Sequence, residues 1–169
     1  MNIPNILTIM RFLLIPFFAY FLHMQKYLIS FFIFLLGGLT DILDGYIARK
    51  FDLITSWGKL ADPLADKLMQ ITALTFLTIQ GKIPLFVLII VIIKETLMGI
   101  GGVLLYKQKN YVVSANWYGK LASLIFYFAI IMILFKAPYS NIFILIALIM
   151  TLFAFFMYLK NYIEIRKLY

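Results

Sequence analysis

From Asn141 to Leu159 the chain carries no charged residue, and Ile, Leu, Phe, Met and Ala fill most of the positions. A run of that length and character leaves few ways to fold. Crossing the ~30 Å hydrocarbon core of a bilayer takes about 20 mostly apolar residues in a helix. In lipid, only a helix or a closed barrel satisfies its own backbone. Comparable runs extend over Ile6 to Leu22, Tyr27 to about Ile47, Leu60 to Ile79, Ile83 to Tyr106 and Tyr118 to Phe135. Gly81-Lys82-Ile83-Pro84 and Lys136-Ala137-Pro138 supply the breakers expected between antiparallel helices. Hydrophobic residues make up 64% of the 169, against about 45–50% in soluble chains. The expected fold is an all-α integral membrane protein of six transmembrane helices, forming a single domain over 1–169.

The basic residues orient these helices. Six spans place both termini on one side, and nine of the fifteen Lys and Arg fall there: Arg49, Lys50, Lys59, Lys107, Lys109, Lys120, Lys160, Arg166 and Lys167. Lys26, Lys82 and Lys136 fall on the other side, and Arg11, Lys67 and Lys94 lie inside spans. The excess of positive charge puts both termini in the cytoplasm, in a cell (inner or plasma) membrane. The net charge of +8 suits anionic lipids or phosphorylated substrates. Nucleic acid is not expected as a partner, because no basic stripe lies on a water-soluble surface. No basic region precedes the first apolar run and no small-residue cleavage site follows it, so no signal peptide is expected. Asn5 and Pro4 could start a short interfacial helix at the N-terminus, and the amphipathic tail from Lys160 could lie along the membrane surface.

Against this background the acids need a reason. The chain has seven Asp and Glu, and four of them, Asp41, Asp44, Asp62 and Asp66, fall on helical spacing. Intramembrane carboxylates cost about 2.5–3.5 kcal/mol each on insertion scales and are functional candidates by default. Asp41 and Asp44 share one helix face as i and i+3, and Asp62 and Asp66 share another as i and i+4. One pair closes the second span and the other opens the third, so the two faces can converge near the inner leaflet. Four clustered carboxylates repel unless a cation joins them. With no cysteine in the chain and only His23 as imidazole, on the opposite side, oxygen ligation of Mg²⁺ or Mn²⁺, as two ions, fits best. Metals held by carboxylates suit phosphoryl transfer. Gly45, Ala48 and Gly58 lack bulk beside the acids and would let helices or a nucleotide approach. Arg49 is a fixed cation able to grip phosphate bidentately.

Asp41-x2-Asp44-Gly45-x2-Ala48-Arg49-x8-Gly58-x3-Asp62-x3-Asp66 matches in full the motif of the CDP-alcohol phosphotransferase family. Eight fixed positions at roughly one in fifteen each give chance odds on the order of 10⁻⁹ per start point. Asn2-Ile-Pro-Asn-Ile-Leu-Thr-x2-Met-Arg11 and Asp62-Pro-Leu-Ala-Asp-Lys67 resemble the phosphatidylglycerophosphate synthases of that family. The resemblance implies a membrane homodimer that transfers the phosphatidyl group of CDP-diacylglycerol to an alcohol and releases CMP. It implies Asp41, Asp44 and Asp62 as metal ligands and Asp66 as general base, touching the second metal as well. It places Gly45, Ala48, Arg49 and Gly58 at the CDP moiety.

The acceptor half is less fixed. Lys94-Glu95 stands where an Arg-Glu pair is expected, and Lys lacks the bidentate fork. The stretch from Lys94 to Tyr106, then Ser114 to Ala122, resembles the cardiolipin synthases of the same family. The expected acceptor is sn-glycerol 3-phosphate, with Arg11, Lys94 and Lys120 as cations for its phosphate. Phosphatidylglycerol or another alcohol is the alternative within the same chemistry. Glu95 is expected to hold Lys120 or Arg11, or to touch substrate. Lys67 is expected at the surface, and Gly99, Gly101 and Gly102 at close helix contacts. A reading of another class, a small cation transporter with translocating ions on the carboxylates, fits less well. The acids cluster at one end of two adjacent spans beside Arg49, which suits a one-sided pocket better than a path.

Overall fold

A computed structural model describes residues 2–53, 55, 58–109 and 117–167, with side chains described for all of these except 59, 60, 103–109 and 164–167. Six helices follow one another: α1 (Ile3–His23), α2 (Tyr27–Lys50), α3 (Gly58–Ile79), α4 (Leu85–Lys109), α5 (Trp117–Leu134) and α6 (Ser140–Lys167). There is no strand among the described residues. Five of the helices, all except α3, are long and apolar enough to cross a membrane. α3 is equally long at 22 residues, but Asp62, Asp66 and Lys67 crowd its first half. The sixth span of the expectation is thus the one that carries the charge.

Helix ends follow from local chemistry. Pro4 sits in the first turn of α1, where its missing N–H costs nothing. The helix begins one turn earlier than Asn5 suggested: Asn2 is the N-cap, and α1 runs from Ile3 without a separate interfacial segment. The turn after α1 closes with Lys26 N–H on the Phe21 carbonyl at 2.9 Å and Gln25 N–H on that of Leu22 at 3.1 Å. This is a Schellman turn, with Gln25 left-handed at φ 57°. α5 ends the same way at Lys136 (φ 52°), with Ala137 N–H on the Met132 carbonyl at 2.9 Å. α6 continues through the amphipathic tail as one helix to Lys167.

The described residues form two compact units, Met1–Gly81 and Lys82–Tyr169. In the first, α1 packs along α2 and α3. The buried positions of α1 are Pro4, Thr8, Arg11, Phe18 and Leu22, and those of α2 are Ser30, Phe34, Gly37, Thr40 and Asp44. Both lists step by three, four or seven residues, which marks one helical stripe. Phe18 stacks on Phe34 with ring centroids 5.3 Å apart. Two turns away on each antiparallel helix the same seam meets again as Arg11 on Asp41. α3 contributes Ala61, Ala65, Met69, Ala73, Leu74 and Leu77 to this core. Gly37 lets Met69 in: a Cβ there would stand 2.7 Å from Met69 Cε. At the far end Gln80 ties the helices, donating to the Leu22 carbonyl at 2.7 Å and accepting from Tyr27 Oη at 3.1 Å.

In the second unit α5 and α6 form the main seam and α4 packs on α6. Ala122, Phe126, Ala129, Ile130 and Ile133 of α5 are buried, as are Ile144, Ala147, Leu148, Thr151 and Ala154 of α6. Gly119 makes room for Tyr158, whose hydroxyl would lie 2.8 Å from an added Cβ. Gly99 and Gly102 meet nothing within 4 Å, and Gly101 only Tyr162 at 4.0 Å. Among the described residues of the single chain, the close approaches occur at Gly37 and Gly119.

Candidate active site

The acidic end of the first unit is built by three helices. α2 brings Asp41 and Asp44 one turn apart near its C-terminal end, and α3 brings Asp62 and Asp66 one turn apart near its start. The faces converge as the spacing predicts. One side chain, Arg11, reaches Asp41 and Asp44 of α2 and the Asp62 carbonyl of α3. Asp44 is buried, whereas the Asp41 side chain keeps 41% of its surface.

Arg11 enters this cluster from α1. Its Nη1 is 3.0 Å from Asp41 Oδ1 and donates to the Asp62 carbonyl at 3.4 Å. Its Nη2 donates to Asp44 Oδ2, and its buried Nε has no partner. The side chain is 0% exposed. Snorkelling to the headgroups is excluded by that burial. Among the described residues Arg11 stands as a partner of the acids, and this pairing does not decide its expected role at an acceptor phosphate.

Two residues that sequence reasoning passed over share the α1 face with Arg11. Thr8, fully buried, donates its hydroxyl to Asp62 Oδ1, with the Pro4 carbonyl 3.1 Å away as an alternative acceptor. Asn5 Oδ1 accepts from Thr55 Oγ1 at 3.0 Å, and Thr55 Oγ1 accepts the Gly58 N–H at 2.9 Å. That N–H belongs to the first turn of α3 and needs a partner from outside the helix. The signal was present: Asn5, Thr8 and Arg11 stand three apart, which is one stripe of a helix.

The residues expected at the CDP moiety border the acids. Gly58 is buried, and a Cβ there would meet Thr55 Oγ1 at 3.0 Å, Asn5 Oδ1 at 3.3 Å and Asp62 Oδ2 at 3.6 Å. Arg49, exposed near the end of α2, folds its guanidinium over Gly45, with Nη1 3.3 Å from where a Cβ would be. Ala48 is half-buried beside it. Lys67 is not a plain surface residue, for its Nζ is 3.3 Å from Asp66 Oδ2.

The other expected cations lie in the second unit. Lys94 is buried within α4 and is ion-paired to Glu95, its sequence neighbour. Lys120 is exposed on α5. Residues 110–116, which include part of the stretch resembling cardiolipin synthases, lie outside the described residues.

No three carboxylates or imidazoles among the described residues already stand as a ready metal cluster. The donor set nonetheless fits a hard cation. It consists of carboxylate oxygens without sulfur, and Arg11 with its single charge faces both Asp41 and Asp44. Each contact uses one carboxylate oxygen, and each carboxylate has two.

Comparison with known proteins finds a family and several relatives. A sequence model of the family described as CDP-alcohol phosphatidyltransferase matches residues 1–153, across both units. A CDP-diacylglycerol--glycerol-3-phosphate 3-phosphatidyltransferase of Aquifex aeolicus is 37% identical over 126 residues, covering 73% of this chain and 70% of the relative. A probable phosphatidylglycerophosphate synthase of Mycobacterium tuberculosis is 32% identical over 146 residues, covering 83% and 68%. A Haemophilus influenzae protein with the same name as the first is 47% identical over 79 residues, covering 45% and 43%.

Proposed function

The chain belongs to the CDP-alcohol phosphatidyltransferase family, and from that premise we propose that it transfers the phosphatidyl group of CDP-diacylglycerol to sn-glycerol 3-phosphate. The products are phosphatidylglycerophosphate and CMP. The observation that carries this reading is the meeting of motif acids from α2 and α3 around Arg11 and Thr8 at one end of the first unit. The names of the relatives supply the acceptor.

The residues divide the work. Asp41, Asp44, Asp62 and Asp66 would hold Mg²⁺ or Mn²⁺, which when bound supplies positive charge to phosphate oxygens. Arg49 has an exposed guanidinium able to grip a phosphate of the CDP group. Gly45, Ala48 and Gly58 keep side-chain bulk away from the nucleotide. Asp66 takes the proton from the attacking hydroxyl of the acceptor. The hydroxyl oxygen forms a bond to the lipid-bearing phosphorus, the anhydride bond breaks, and the electron pair leaves with CMP. Lys94 and Lys120 are the cations proposed for the acceptor phosphate. The positive-inside distribution puts this site on the cytoplasmic face.

Purified protein given CDP-diacylglycerol, Mg²⁺ and labelled glycerol 3-phosphate is expected to release CMP and label phosphatidylglycerophosphate. No CMP release with glycerol 3-phosphate, phosphatidylglycerol or simpler alcohols would remove the enzymatic reading. A preference for phosphatidylglycerol would leave the reaction and reassign the acceptor.

A further inference from the structure

The polar stripe of α1 does something that neither the motif nor the reaction assigns. Asn5, Thr8 and Arg11 belong to no ligand set, yet each touches the acidic machinery or the turn that carries it. Arg11 reaches Asp41, Asp44 and the Asp62 carbonyl, Thr8 holds the Asp62 carboxylate, and Asn5 holds Thr55 at the start of α3. A guanidinium buried completely, in a chain that crosses lipid, needs counter-charge around it. Two adjacent buried or half-buried carboxylates have the same need of a cation. Each therefore satisfies the other when no metal is present. Yet one positive charge against two carboxylates leaves the pair negative, and Arg11 Nε is buried without a partner. The site is held without being neutralised.

We propose that Arg11 is a resident counter-cation and positioning residue, which holds Asp41, Asp44 and Asp62 in place before a divalent ion binds. Thr8 orients Asp62 alongside it. The inference rests on the metal-binding reading of the four acids. It makes Arg11 and the divalent ion partial substitutes, so removing the first should raise the site's demand for the second.

The experiment compares wild type, Arg11→Gln and Arg11→Lys in detergent, reading melting temperature in EDTA and across a Mn²⁺ titration. Arg11→Gln is expected to melt several degrees lower without metal. It should gain more from Mn²⁺ than wild type does, with half-saturation at a concentration lower by on the order of tenfold, as loss of a nearby positive charge dictates. Stabilisation by a ligand that binds only the folded state follows its affinity, so the two readings check each other. Arg11→Lys, which keeps the charge and loses the fork, should fall between. Should Arg11→Gln not fold, Arg11→Lys carries the comparison, with an excess response to Mn²⁺ in the same direction and smaller.

An equal loss with and without Mn²⁺ would make Arg11 a packing residue and overturn the proposal. Unchanged melting with a raised KM for glycerol 3-phosphate would overturn it in favour of an acceptor contact. If Mn²⁺ affects neither wild type nor variant, the metal-binding reading itself falls and this inference with it, an outcome distinct from the other two.

Discussion

The α1–α2 seam of the first unit and the α5–α6 seam of the second are both antiparallel helix pairs with a stripe of buried residues along them. In α5 and α6 that stripe is apolar or neutral from end to end, from Ile133 and Ile144 through Phe126 to Tyr118 and Ala154. In α1 and α2 it begins the same way, with Phe18 stacked on Phe34, and then changes character within two turns. Thr8, Arg11 and Asp44 occupy positions that packing alone would give to Leu or Ala. Replacing a buried ion pair by well-packed apolar residues is often neutral or stabilising. A stable pair of helices thus does not require Arg11 and Asp44, as the second seam demonstrates. The proposed chemistry gives the charge on the first seam a reason, and the packing stripe fixes its geometry.

The largest expected difference between the seams is in turnover. Asp66→Asn removes the proposed base and should lower CMP release by about 10²–10⁴-fold, while CDP-diacylglycerol binding persists. A loss of binding equal to that of Asp41→Asn would make Asp66 a ligand and not the base. Phe126→Leu, at a fully buried site of α5, should leave turnover per folded molecule unchanged and lower the melting temperature alone. A matching loss of activity in Phe126→Leu would erase the contrast.

A second difference concerns glycines. Gly58→Ala sets a methyl among Thr55, Asn5 and Asp62, and overpacking of this kind costs about 1–3 kcal/mol. It should lower both stability and activity, because the atoms displaced orient the acids. Gly99→Ala on α4 meets nothing within 4 Å and should stabilise by up to about 1 kcal/mol through helix propensity. A loss of stability at Gly99, measured by thermal melting in detergent, would reveal a neighbour for that face.

How far these contrasts were legible in the sequence differs with their physical origin. Helix boundaries were nearly all readable, because apolar run length and breakers such as Pro84 and Pro138 act locally. The convergence of the acids was also readable, because i, i+3 and i, i+4 spacing is a property of the helix itself. The pairing of Arg11 with the acids was not legible, for a reason of range. Its partners are thirty or more residues away, and its choice between headgroups, acceptor and Asp44 depends on the α1–α2 register. That register is set by Phe18 on Phe34, an ordinary apolar contact with no signature of its own. Glu95 shows the opposite case: one partner, Lys94, lies beside it and curls back within one turn. The close-packed glycines were not legible because a glycine cluster in sequence says nothing of what faces it. Gly37 matters through Met69, and Gly119 through Tyr158.

The smallest expected effect tests whether polarity at the end of the second seam is of the same kind as in the first. Tyr118 is 5% exposed, and its hydroxyl accepts from Asn161 Nδ2 at 3.2 Å. Its ring packs edge-on against Tyr158, with centroids 5.4 Å apart. Tyr118→Phe keeps the ring contacts and removes one acceptor, while Asn161, half-buried, can turn its amide to water. The cost should be about 0.5–1.5 kcal/mol, the net value of an ordinary hydrogen bond, read as a small drop in melting temperature. It should be independent of Mn²⁺, whereas Thr8→Val, which strips a donor from the Asp62 carboxylate, should give a loss that varies with Mn²⁺. If Tyr118→Phe also became metal-sensitive, the second unit would share in the ion site, and the division of the molecule into a charged seam and a neutral one would fail.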